Sequence, residues 1–108
     1  MSLSYLDIKK LNGKKCFTLT QNKPAQMRVD DIGVTIVYPS GNGLDIPRSK
    51  FEEALHLLNA HGVLKMEEVH ERITNGNGAM TDRLLAVLRE IPETRYTSSP
   101  RAIYLKKG

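Results

Sequence analysis

Apolar residues change their spacing near the middle of the chain. Tyr5, Ile8 and Leu11 stand three apart, which predicts a short helix with Ser4 as its cap and Asn12-Gly13 as its stop. Beyond it the period falls to two. In Lys15–Thr20, Phe17 and Leu19 alternate with polar neighbours, the signature of a half-buried strand, and that parity turns Cys16 outward. Gln21–Pro24 reads as a turn, and Gln26–Asp30 alternates again. Asp31-Ile32-Gly33 contains a turn, and Val34–Tyr38 is the most β-rich run. Pro39–Gly43 breaks it, and Leu44–Ile46 adds a short edge strand. These segments make an antiparallel meander of three or four strands.

In the second half the period lengthens. Phe51, Ala54, Leu55 and Leu58 occupy one face of a helix, with Pro47 in its first turn and Ser49 with Glu52 as a capping box. Ala60-His61-Gly62 ends it. Met66, Val69 and Ile73 mark a second helix over Lys65–Thr74. Asn75-Gly76-Asn77-Gly78 is a loop, because Gly and Asn tolerate positive φ. Met80, Leu84, Val87, Leu88 and Ile91 trace the inward stripe of a third helix, 79–91, which Pro92 stops. Arg95–Thr97, Ser98–Pro100 and Ala102–Lys106 read as strand, turn and strand, a hairpin over 94–107.

Three helices and a hairpin within about sixty residues is the order of a winged helix-turn-helix. The last sixty residues resemble winged-helix DNA-binding domains through Met66-x-x-Val69-x-x-x-Ile73, the Gly-rich turn, Thr81-Asp82-Arg83-Leu84-Leu85-x-Val87-Leu88 and Arg101-Ala102-Ile103-Tyr104-Leu105. The first half resembles small prokaryotic modules found near restriction or mobile-element genes. It does so through Gly13-Lys14-Lys15-x-Phe17-Thr18-Leu19-Thr20, Lys23-Pro24, Gly33-Val34 and Ile46-Pro47-Arg48. The expected fold class is α+β: a three- or four-stranded antiparallel meander followed by a three-helix winged-helix half with a C-terminal β-hairpin. Residues 1–46 form the meander subdomain and 47–108 the winged-helix-like subdomain, together one compact domain.

Composition narrows the function. At 108 residues and 12.1 kDa, with 40% hydrophobic and 26% charged residues, the chain is an ordinary globular domain. It can bury a modest core but not a large substrate pocket besides, which favours a binding module over an enzyme. No catalytic motif stands out, and no cofactor or metal is expected. His56, His61 and His70 lack the spacing of a zinc-protease helix, and one cysteine cannot complete a structural zinc site. His56 belongs beside the core stripe and His70 on a helix surface. A lone Cys16, no apolar run of membrane-spanning length and no leader-like amino terminus lead to an expected place in the cytoplasm.

The charges come in blocks. Residues 1–28 carry +5, residues 51–94 carry −4 and residues 95–108 carry +4. Basic ends attract a polyanion, and the acidic middle repels it. The resemblance implies that duplex DNA is the partner, with helix 79–91 in the major groove and the hairpin 94–107 as wing. Thr81, Arg83 and Arg89 then lie on or beside the outer face of that helix, with Asp82 and Ala86. Thr81 and Arg83 would meet base edges, and Asn75 and Asn77 would contribute from the turn. Arg101 at the wing tip, with Lys106 and Lys107 beyond it, would reach the backbone or a minor groove. The alternative is a protein-interaction or regulatory module without DNA binding, using the acidic helix that carries Glu67, Glu68 and Glu71.

Overall fold

The computed structural model describes residues 2–106. Helix α1 (Tyr5–Lys9) opens with a capping box: the Ser4 hydroxyl accepts from Leu6 N–H, and the Asp7 carboxylate accepts from Ser4 N–H. Strands β1 (Lys15–Phe17), β2 (Pro24–Val29), β3 (Gly33–Val37) and β4 (Gly43–Pro47) form one antiparallel sheet in sequence order. Its inner face carries Cys16, Ala25, Met27, Val34, Ile36 and Ile46, all buried.

The parity of β1 is the reverse of the expected one. Cys16 is 1% exposed and Phe17 37% exposed. Cys16 lies opposite Ala25 and Phe17 opposite Pro24, and residues opposite one another in an antiparallel pair share a face. The register with β2 therefore overrides the pattern of β1. Burial, reinforced by the nearby Glu90 carboxylate, pushes the Cys16 thiol up to about 11.

Helix α2 (Arg48–His61) follows β4 without a loop. Pro47 occupies the capping position with an extended backbone, and no side chain caps the helix. The expected Ser49–Glu52 box is absent because Ser49 already lies inside the first turn. The connection is tight. Arg48 N–H donates to the Ile32 carbonyl at 2.9 Å, and a Cβ on Gly33 would collide with the Ile46 carbonyl. Gly62, at φ +75°, ends α2.

Strand β5 (Val63–Lys65) comes next, where the sequence predicted no strand and a helix from Lys65. Three residues are too few to show a period. What makes them a strand is β7, against which Val63, Leu64 and Lys65 pair with Tyr104, Ile103 and Ala102. Helices α3 (Met66–Arg72) and α4 (Gly78–Leu88) follow, then the hairpin of β6 (Thr94–Ser98) and β7 (Arg101–Leu105). The second sheet has the order β5-β7-β6. The fold is α+β, as expected.

Helix α4 ends at Leu88, four residues before Pro92, and packs against α3, β1, β4 and β7. Buried side chains from both halves of the chain form one hydrophobic core. Among the described residues every buried side-chain polar atom has a hydrogen-bond partner, and no helix is long and apolar enough to cross a membrane.

Candidate functional site

The four-stranded sheet covers the face of α4 that the sequence assigned to solvent. Asp82 is 4% exposed. Its carboxylate accepts from the backbone N–H groups of Leu19 and Thr20, at 2.9 and 3.2 Å, and from the Thr20 hydroxyl at 2.8 Å. Arg83 Nε donates to the Tyr38 hydroxyl at 2.5 Å, and its guanidinium lies over the Tyr38 ring and 3.7 Å from the Asp82 carboxylate. Arg89 Nη2 donates to the Phe17 carbonyl at 2.8 Å and its guanidinium lies over Tyr96. Ala86 is buried as well. These contacts correct the expectation for Asp82, Arg83, Ala86 and Arg89: the meander engages them.

Thr81 is also corrected. It is 1% exposed, because that side of α4 faces α3 rather than solvent. Its hydroxyl donates to the Asn77 carbonyl at 2.8 Å, meets the Thr74 hydroxyl at 2.5 Å and lies 3.4 Å from His70 Nδ1. The signal for this burial was in the sequence. Thr81 stands three, four and seven residues before Leu84, Leu85 and Leu88, so it extends their apolar face by one turn.

What remains open is the amino-terminal end of α4. Asn75 is exposed in a left-handed conformation, with φ 53°. Asn77 is exposed and caps α4 by accepting from Met80 N–H at 3.0 Å. The start of α3, the start of α4 and the tip of the β6–β7 hairpin surround a groove of about 590 Å³. Lys65, His70 and Arg101 bring cationic or protonatable groups to its lining, Glu67 brings an acid, and Thr81 stands at the foot of α4. The Thr97 hydroxyl donates to the Pro100 carbonyl at 2.8 Å, which shapes the hairpin tip.

Of the predicted residues, Thr81 and Arg101 line this opening, while Asn75 and Asn77 are exposed in the loop that leads into α4. Lys106 is exposed at the other end of β7, and Lys107 lies outside the described residues. Sequence reasoning missed Lys65, which reaches the groove only because β5 pairs with β7, and it left His70 as a bare surface residue. Among the described residues no group of three His, Cys, Asp or Glu side chains is placed to hold a metal ion. The chain matches no protein-family model, no curated protein and no solved structure.

Proposed function

We propose that this protein is a non-catalytic module that binds duplex nucleic acid through the groove between α3, α4 and the hairpin tip. The observation that carries the reading is the convergence of two helix starts and a hairpin tip on one opening that holds Lys65, His70 and Arg101. The order helix, strand, helix, helix, hairpin, with sheet order β5-β7-β6, resembles a winged helix-turn-helix, and that likeness supports the reading. The meander engages Arg83 and Arg89, and Thr81 is buried against α3, so the contact falls to Asn75, Asn77, the backbone of Gly78–Met80 and Arg101. A buried free thiol suits a reducing compartment, in keeping with a cytoplasmic protein.

Fluorescence anisotropy with random-sequence duplex DNA tests the proposal. Binding should be measurable at about 50 mM salt and weaken steeply by about 200 mM, because phosphate neutralisation releases counterions. Absence of binding at the lower salt would favour the second reading, a protein-interaction module. That alternative has its own support. The sheet covers the helix face a groove reader would use, and α3 turns Glu67 and Glu71 to solvent.

A further inference from the structure

The three-stranded sheet has an inner face that buries Leu64 and Ile103 and an outer face on which Lys65 and Arg95 are exposed. On the outer face Val63, Tyr104 and Arg95 form one cross-strand row, and Lys65, Ala102 and Thr97 form the next row toward the hairpin tip. Lys106, the residue after β7, follows Tyr104 by two positions and keeps its parity. A second opening, of about 690 Å³, lies at the end remote from the tip, and Arg95, Tyr104, Lys106 and His61 line it without an acid.

Among the described residues none of Lys65, Arg95 and Lys106 takes part in an ion pair. Two acidic features border the face. Glu93 lies beside Lys106, whose N–H donates to the Glu93 carbonyl, and the acids of α3 lie beyond Lys65. The cations of this face run from Lys65 past Arg95 to Lys106, while Arg101 stands at the tip with the parity of the inner face.

We infer that duplex nucleic acid leaves the groove at the hairpin tip and runs with its phosphate backbone along the outer face of this sheet, toward Arg95 and Lys106. This rests on the function proposed above and gives the path of the ligand, which the covered body of α4 cannot provide. The face offers charge more than a stacking platform. Its one aromatic ring, Tyr104, already lies under the Arg95 guanidinium at 5.2 Å. That arrangement suits a duplex backbone better than an unstacked single strand.

The test is anisotropy with random-sequence duplex DNA on the whole chain. Arg95→Gln with Lys106→Gln should weaken binding about tenfold and flatten the salt dependence by about two phosphate contacts. Its thermal midpoint should stay that of the parent protein. Glu93→Gln, which removes the bordering acid, should tighten binding about threefold, so the inference stays testable even if the double variant folds poorly. If the double variant binds like the parent while Lys65→Gln with Arg101→Gln binds weakly, the path is overturned and the groove reading stands. If the parent binds no duplex at low salt, both are overturned. A single strand of equal length that binds more tightly, and loses more on the same substitutions, overturns the duplex assignment.

Discussion

The polar residues that the sequence assigned to the DNA contact around α4 fall into two groups. Asp82, Arg83 and Arg89 point toward the four-stranded sheet and spend their hydrogen bonds on the Leu19 and Thr20 amides, the Tyr38 hydroxyl and the Phe17 carbonyl. Asn75 and Asn77, in the loop before α4, stay exposed instead, and Arg101 lines an opening at that end of the helix. The sequence assigned both groups to solvent. The difference teaches that a polar helix face is committed by what packs on it, here a sheet from the other half of the chain that brings matching donors and acceptors.

Four experiments can break or sharpen that contrast. The largest effect belongs to Asp82→Ala, which removes the acceptor of two amides and a hydroxyl in a buried setting. Unfolding in urea should become easier by about 3 kcal/mol, and a loss below about 1 kcal/mol would mean that Asp82 does not clamp the sheet to α4. Thr81→Val keeps the shape of a buried side chain and removes its hydroxyl. Stability should fall by about 1 kcal/mol, with duplex affinity unchanged; a loss of affinity without loss of stability would return Thr81 to the interface.

Arg101→Ala should weaken duplex binding about threefold and flatten its salt dependence, since one phosphate contact goes. Arg83→Ala, whose partners are Tyr38 and Asp82, should leave binding as it was. The reverse outcome would mean that α4 reads the duplex through its body after all.

The smallest effect concerns Cys16 on the inner face of the sheet. Its folded pKa is raised from 9.0 to about 11, so the folded state holds the proton more tightly than the unfolded state. The stability from the neutral buried thiol is full below pH 9 and drains away as pH rises toward 11. A Cys16→Ser variant should lack that part of the alkaline decline. In the parent protein, thiol reagents at neutral pH should react slowly until the chain unfolds.

Much of this architecture is legible in local chemistry. Ser4 with Asp7 sets the start of α1, the stripe Phe51, Ala54, Leu55 and Leu58 sets the buried side of α2, and Gly62 stops it. The meander and the hairpin follow from alternation and turn residues, because period and backbone preference are properties of a few neighbouring positions. Three features were not local. Cys16 faces inward because β1 adopts a register with β2, and Val63–Lys65 is a strand because β7 lies alongside it. Asp82 and Arg83 are consumed because a sheet more than forty residues away in sequence folds over α4. Pairing register and the choice of which polar face to cover depend on partners distant in the chain, and no window of sequence contains both sides of such a contact.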